Sequence, residues 1–238
     1  MVMPLYDHSP FRWPTPPYVM WSLIALNAIV FAVQSTAGPD GLTEVEHVAG
    51  LFPAALTSGN WSSGPIPAPL TLITALFVHG NFMHLFGNMI FLFVFGDDIE
   101  EALGHWRFLV FYLACGLGAD AAFILSDPTS NVDLIGASGA IAGVIAAYLL
   151  YRPCAKVTAL LGLIPLRVRA YWLIGLWVLM QIGELASRDQ DGVAYSAHIG
   201  GLITGAALFI VMRPASIRLF DCTHSEPFPA ASEAAPPR

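Results

Sequence analysis

Six runs of apolar residues, each long enough to cross a lipid bilayer, take up most of this sequence. A helix needs about 17 to 25 predominantly apolar residues to span the hydrocarbon core. The runs that meet this length are Tyr18–Thr36, Leu70–Phe95, Trp106–Ser126, Leu134–Tyr151, Ala170–Ser187 and Val193–Met212. Only 11% of the 238 residues are charged, whereas a soluble domain carries about 25%. The sequence therefore predicts an all-α membrane protein with a bundle of six transmembrane helices.

The distribution of basic residues predicts how this bundle is oriented. With six spans, both termini lie on the same side, and that side carries nine of the ten basic residues, while Arg188 alone lies on the other. Basic residues concentrate on the cytoplasmic side of membrane proteins, so we expect cytoplasmic termini. The predicted organisation is a cytoplasmic segment (1–17), a six-span domain (18–212) and a disordered cytoplasmic tail (213–238) rich in Pro, Ala, Ser and Glu.

Charge and cysteine content exclude several classes of function. The formal net charge of −7 argues against nucleic-acid binding, which requires a basic face. The cysteines Cys115, Cys154 and Cys222 are scattered and show no metal-ligand spacing. Since two of them fall on the predicted cytoplasmic side, we expect free thiols rather than a disulfide framework. The sequence predicts no cofactor and no nucleic-acid partner.

Two polar residues lie inside apolar runs, where polar groups are costly and usually functional. Ser138 lies about four residues into the fourth run, and His198 lies about five residues into the sixth. Both runs start from the outer face in the predicted orientation, so at about 1.5 Å per residue the two side chains share one depth. A serine and a histidine that meet can carry out nucleophilic acyl transfer.

Small residues accompany both of these polar residues. Gly136, Gly139 and Gly143 are spaced along the fourth run, and Gly201 and Gly205 follow His198 in the sixth. Small residues allow helix backbones to approach closely in a membrane. Such a pattern also occurs in ordinary helix packing, with a serine bonded to its own backbone, and only its coincidence with Ser138 and His198 favours a catalytic site.

The second apolar run adds a third polar cluster, formed by His79, His84 and Asn88. His84 and Asn88 are four residues apart and therefore share one helix face. The Asn amide and a neutral imidazole both donate hydrogen bonds, as a developing oxyanion requires. A zinc site is the competing interpretation, but the run contains no His-Glu-x-x-His motif and no nearby acidic residue. We therefore expect no metal.

At these residues the chain resembles the rhomboid intramembrane serine proteases. The resemblance rests on Gly136-Ala137-Ser138-Gly139, on Ala197-His198-x-x-Gly201 and on the spaced His79, His84 and Asn88, and it covers residues 18–212. It implies Ser138 as nucleophile and His198 as general base. It also implies an oxyanion hole made by His84, Asn88 and the backbone N–H of Ser138. Supporting positions in this interpretation are Gly136, Gly139, Gly201 and His79.

The resemblance extends to a cytoplasmic turn, and the chain departs from it at position 142. Gly96-x-x-x-Glu100-x-x-x-Gly104 looks like the family's turn between spans two and three, where Glu100 is expected to bind backbone amides. Some members carry a tyrosine one turn after the serine that stacks on the histidine, whereas this chain has Ala142. Other neighbours must therefore orient the ring of His198.

The resemblance also implies the partners of the protein. The implied substrates are single-span membrane proteins that enter from the lipid bilayer, with the fifth span and residues 187–192 as a gate. The compact six-span form predicts a multi-pass protein of a bacterial inner membrane, with an organelle membrane as the alternative. Two alternatives stay open: a catalytically inactive rhomboid-like protein that binds client membrane proteins, and a transporter, for which the sequence has no inverted repeat.

Overall fold

The computed structural model describes residues 2–7, 16–59, 61–62, 64–162, 164–187 and 193–222. Within these ranges the chain forms nine α-helices, three β-strands and one 3₁₀ turn (Ala75–Phe77). The helices are α1 (Tyr18–Thr36), α2 (Gly38–Ala49), α3 (Pro53–Thr57), α4 (Ala68–Thr74), α5 (Phe82–Leu103), α6 (His105–Ser126), α7 (Ser138–Tyr151), α8 (Ala170–Ser187) and α9 (Tyr195–Met212). The strands are β1 (Val2–Asp7), β2 (Lys156–Leu161) and β3 (Ile164–Arg169).

Five of these helices are long and apolar enough to cross a membrane, namely α1, α5, α6, α8 and α9. The chain is therefore a mostly helical, multi-pass membrane protein. The fourth predicted span corresponds to α7, which has only 14 residues. Eleven of those residues are buried, so α7 is enclosed by the other helices rather than exposed to lipid.

The second predicted span, Leu70–Phe95, is wrong as a single helix. The chain leaves α4 through the 3₁₀ turn, is extended at Val78, and starts α5 only at Phe82. Asn81 caps the new helix, because its side-chain oxygen accepts a hydrogen bond from the backbone N–H of His84 at 2.9 Å. Helix α5 then continues eight residues beyond the predicted end at Phe95. Its charged last turns are buried in protein: Asp98, for example, forms an ion pair with Arg152 at 2.9 Å.

Glu100 joins the end of α5 to the start of α1. Its carboxylate accepts hydrogen bonds from the backbone N–H groups of Val19 (2.9 Å) and Met20 (2.6 Å). These amides belong to the first turn of α1, where helical N–H groups lack intrahelical acceptors and favour a negative charge. Gly104 then separates α5 from α6 with a positive φ of 83°. The structure thus confirms the predicted role of Glu100 as a ligand of backbone amides.

A three-stranded antiparallel sheet, which the span pattern did not predict, follows the C-terminal end of α7. Its order is β1-β2-β3, so the N-terminal segment pairs with a hairpin located between α7 and α8. Tyr148 of α7 secures β1, because its hydroxyl donates a hydrogen bond to Asp7 at 2.9 Å. Residues 8–15 of the predicted N-terminal segment lie outside the described residues.

The chain after α9 returns to the same end of α7. The backbone N–H groups of Phe220 and Asp221 donate to the carbonyl oxygens of Leu150 (2.7 Å) and Tyr151 (3.3 Å). Disorder was predicted from residue 213, but residues up to 222 pack here, and residues 223–238 lie outside the described residues. The structure also joins Cys154 and Cys222 in a disulfide, which contradicts the expectation of free thiols; Cys115 is free and buried.

Candidate active site

Ser138 and His198 meet in the structure. The Ser138 Oγ lies 2.9 Å from His198 Nε2, within hydrogen-bonding distance. Ser138 is the first residue of α7, and His198 lies in the first turn of α9. His198 is buried, whereas Ser138 is half-buried. The two residues are 60 positions apart in the sequence, so the packing of α7 against α9 creates the pair.

Glycines make this close packing possible. A Cβ built on Gly201 would overlap the carbonyl oxygen of Gly139, and a Cβ on Gly205 would overlap the backbone of Gly143. The backbones of α7 and α9 therefore touch at two levels, one helical turn apart. Close backbone approach through small residues is the usual way for helices to associate in lipid. The glycines predicted to form the small-residue faces of the two helices thus lie at the contact between α7 and α9.

The donors predicted for an oxyanion hole converge on Gly136. This residue has a φ of 103°, and its N–H donates to the carbonyl oxygen of Ala75 at 2.8 Å. A Cβ built on Gly136 would lie 2.7 Å from His84 Nε2 and 3.3 Å from Asn88 Nδ2. The first N–H groups of α7 have no intrahelical acceptor. The side chains of His84 and Asn88 thus lie beside the loop that leads into Ser138.

His79 supports Asn88 from the connection before α5. The Nδ2 of Asn88 lies 2.9 Å from His79 Nε2. In this orientation of the amide, Nδ2 donates and His79 Nε2 accepts, so the ring is neutral. Burial, followed by the nearby His84, lowers the pKa of His79 to about 4, against a smaller opposing effect of the Phe77 carbonyl. One hydrogen of the Asn88 amide is thereby used, and the other stays available.

His198 has three further neighbours that orient its ring. The side-chain amide nitrogen of Gln181, Nε2, lies 2.9 Å from Nδ1. The ring of Trp177 lies 6.0 Å from the imidazole at a tilt of 37°, and Tyr195 meets it edge-on at 6.3 Å. These contacts replace the aromatic residue that position 142 lacks. The sequence pattern did not predict this contact between Gln181 and His198.

An apolar cavity of about 200 Å³ lies between α5 and α8. Its lining is formed by aromatic and aliphatic side chains, among them Phe91, Phe95, Ile174, Trp177 and Met180. Trp177 belongs to this lining and also faces His198, so the cavity borders the candidate site. Residues 188–192 of the predicted gate loop lie outside the described residues.

The arrangement has the parts that acyl transfer needs: a hydroxyl in contact with an imidazole, and hydrogen-bond donors beside it. Among the described residues, no group of three or more His, Cys, Asp or Glu side chains is arranged to hold a metal ion. A serine hydroxyl in contact with an imidazole can perform nucleophilic attack with general acid–base assistance.

Comparison with known proteins gives the family. A sequence model of the rhomboid domain matches residues 68–215. Rhomboid protease AarA of Providencia stuartii is 30% identical over 222 residues, which cover 83% of this chain and 74% of that protein. RHOMBOID-like protein 5 of Arabidopsis thaliana is 32% identical over 149 residues, covering 59% of this chain and 43% of the relative.

A third relative, rhomboid protease GluP of Bacillus subtilis, is 30% identical over 191 residues, covering 79% of this chain and 34% of that protein. The chain thus spans less than half the length of GluP and of RHOMBOID-like protein 5. The domain match nevertheless covers more than half of this chain and includes the loop of Gly136, the first turn of α7 and the first turn of α9. This chain belongs to the rhomboid family.

Proposed function

We propose that this protein is an intramembrane serine endopeptidase that hydrolyses peptide bonds in or near transmembrane segments of other membrane proteins. The observation that carries the proposal is the 2.9 Å contact between Ser138 Oγ and His198 Nε2, on two helices whose backbones touch. Relatives named rhomboid proteases support it at the level of the family.

Peptide hydrolysis at this site proceeds in two stages. Ser138 Oγ attacks the carbonyl carbon of the substrate while its proton passes to His198 Nε2. The tetrahedral intermediate then collapses, the C–N bond breaks, and His198 returns the proton to the leaving amine. A water molecule attacks the resulting ester with His198 again accepting its proton, which releases the acid product and restores Ser138.

The negative charge on the tetrahedral intermediate needs donors that are already in place. His84, Asn88 and the backbone N–H of Ser138 supply these donors in the proposed mechanism. Each donor in such a preorganised site contributes a factor of about 10²–10³ in kcat. His79 positions the Asn88 amide through a hydrogen bond and so contributes indirectly to the stabilisation of the intermediate.

The proposed substrates are single-span membrane proteins that reach the site from the lipid bilayer between α5 and α8. Helix α8 is suited to this role, because only Ala170, Ile174 and Gln181 among its 18 residues are buried. The apolar cavity between the two helices gives a transmembrane segment a surface on which to pack.

We also propose six membrane crossings, with the short α7 as the fourth along the chain, and cytoplasmic termini. The uneven distribution of basic residues supports this orientation. Under it, the three-stranded sheet is cytoplasmic and Ser138 opens towards the outer face. A bacterial inner membrane is the proposed location. Reporter fusions after residues 17 and 222, active on only one side of the membrane, test the orientation.

The activity is tested with the purified protein in liposomes together with a single-span reporter substrate. We expect the wild type to cleave the substrate and to react with a fluorophosphonate probe, and Ser138→Ala and His198→Ala to do neither. Ser35→Ala, which removes an exposed hydroxyl bonded to its own helix, is the matched control and should behave as wild type. Cleavage that persists in Ser138→Ala would contradict the mechanism.

The alternative is an inactive rhomboid-like protein that binds client membrane proteins. Both reacting side chains are present and in contact, which favours the protease. A wild type that co-purifies with the reporter substrate, yet neither cleaves it nor reacts with the probe, would identify the protein as such a binder.

A further inference from the structure

Gln181 is an unusual residue for the helix on which it lies. Helix α8 is otherwise exposed along most of its length, as its apolar side chains Trp172, Leu176 and Leu179 show. The polar side chain of Gln181, in contrast, is only 6% exposed. A buried amide lowers stability unless it is hydrogen-bonded, so the partner of Gln181 explains why this position is polar.

That partner is His198. The structure places the Gln181 amide nitrogen, Nε2, 2.9 Å from His198 Nδ1, and Ser138 Oγ lies 2.9 Å from His198 Nε2. Both ring nitrogens are therefore engaged, each by a side chain from a different helix. Two contacts of this kind on opposite edges of an imidazole leave it little freedom to rotate. Trp177, one turn before Gln181 on α8, restricts the ring from a third direction.

The chemistry decides which end of the amide faces the ring. To take the serine proton at Nε2, His198 must carry its own hydrogen on Nδ1. An Nδ1–H needs an acceptor, and Gln181 offers its Oε1. The structure has the Gln181 Nε2 at this point. The two ends of an amide have nearly the same shape, so a half-turn of the amide places Oε1 there instead. The amide nitrogen there would instead fix the hydrogen on Nε2, and that tautomer is unable to accept the serine proton.

We propose that Gln181 is a positioning residue of this site, whose amide oxygen accepts a hydrogen bond from His198 Nδ1–H and keeps Nε2 free to face Ser138. The hydrogen bond made by one ring nitrogen determines the state of the other. An amide is uncharged, so Gln181 acts by orientation and tautomer selection. This inference rests on the proposed protease function.

A spectroscopic test reads the tautomer directly and does not depend on activity. The protein is labelled with ¹⁵N-histidine in detergent micelles, and the His198 signals are assigned by their loss in His198→Ala. We expect an Nδ1–H, bare-Nε2 pattern in the wild type and in Gln181→Glu. In Gln181→Met, which keeps the length of the side chain without an acceptor, we expect a mixture of tautomers. Wild-type signals from an Nε2–H tautomer would overturn the proposal.

Kinetics of the same variants supply the second readout. Gln181→Met should lower kcat by roughly 10²-fold, as a misplaced catalytic group does, with little change in KM. Gln181→Glu should retain more activity and move the acid limb of the kcat/KM profile to higher pH, because a carboxylate stabilises the protonated imidazole. Among the described residues, the other titratable side chains shown to face this ring are His84 of α5 and Tyr195 of α9, and both are unchanged in these variants.

Leu179→Met, at an exposed position two residues earlier on α8, is the control and should match the wild type in both readouts. A Gln181→Met variant with wild-type kcat and pH profile would contradict the positioning role. If the wild type neither cleaves substrate nor reacts with the probe, the proposed function fails, and the tautomer measurement still decides whether Gln181 orients His198.

Discussion

Gly201 of α9 packs directly on the carbonyl group of Gly139, the residue that follows Ser138. This contact lies one residue from the nucleophile on one side and three residues from His198 on the other. This one contact therefore determines both the distance between the axes of α7 and α9 and the distance between Ser138 and His198. Because backbone meets backbone here, no side chain can move aside to admit a larger residue.

Gly201→Ala should consequently separate α7 from α9. We expect a loss of about 1–3 kcal/mol in stability, as for other overpacked sites, and a fall in cleavage of at least about 10²-fold. The thermal midpoint and the rate of fluorophosphonate labelling measure the two effects. Gly183→Ala on α8 is the control, because a Cβ there meets nothing within 4 Å. A Gly201→Ala protein with wild-type labelling would contradict this account of the site.

Gly136→Ala should damage the oxyanion donors while the bundle persists. The new Cβ would lie 2.7 Å from His84 Nε2, on a backbone with a φ of 103° that side chains rarely adopt. We expect kcat to fall by about 10²–10³-fold, the contribution of a lost donor, with a smaller change in KM. Gly87→Ala lies between His84 and Asn88 on α5 and meets nothing within 4 Å, so it should keep its activity. Equal effects in the two variants would argue against this role of Gly136.

Much of this site follows from local sequence because its parts are helical. Regular spacing places Gly201 and Gly205 on one helix face, and the shared depth of Ser138 and His198 predicts their meeting. Helical periodicity also put His84 and Asn88 together on one face. Helical periodicity does not apply to His79, because the chain breaks before Asn81 and resumes as a new helix. The pair Gly80-Asn81 is a signal for that break, since Asn is a preferred N-cap.

Other features depend on contacts between distant segments that local patterns do not contain. The pairing of β1 with β2 joins residues 150 to 159 positions apart, so no local pattern reveals it. The role of Gln181 depends on the rotation of α8 about its own axis, which determines which of its side chains face α9. A glutamine within an apolar stretch of the helix, one turn after Trp177, is the sequence signal of that contact. Its partner becomes evident once the helices are packed.

The variant Glu100→Gln tests whether the carboxylate of Glu100 has a structural or a catalytic role. Replacing the carboxylate with an amide removes the negatively charged group that accepts hydrogen bonds from the N–H groups of Val19 and Met20. Hydrogen bonds to charged groups contribute about 1.5–3 kcal/mol, so we expect a lower thermal midpoint, with kcat and KM unchanged at temperatures where the protein is folded. Glu44→Gln, an exposed position in α2, should leave the midpoint unaltered. A fall in kcat without a loss of stability would assign Glu100 to the reaction instead.

The neutral state of His79 predicts a loss of stability and activity in acid. The folded protein holds the pKa of His79 at about 4, against 6.5 for the free side chain, through burial and the nearby His84. The unfolded chain therefore binds a proton that the folded chain does not between these values, and stability falls as the pH drops from about 6.5 towards 4. Protonation also turns His79 Nε2 into a donor that faces the Asn88 amide.

In His79→Gln, an uncharged acceptor takes the place of the imidazole, so the thermal midpoint and the labelling rate should depend less steeply on pH than in the wild type. His47→Gln, at an exposed position, should retain the wild-type pH dependence, and an unchanged slope in His79→Gln would show that another group governs the acid response.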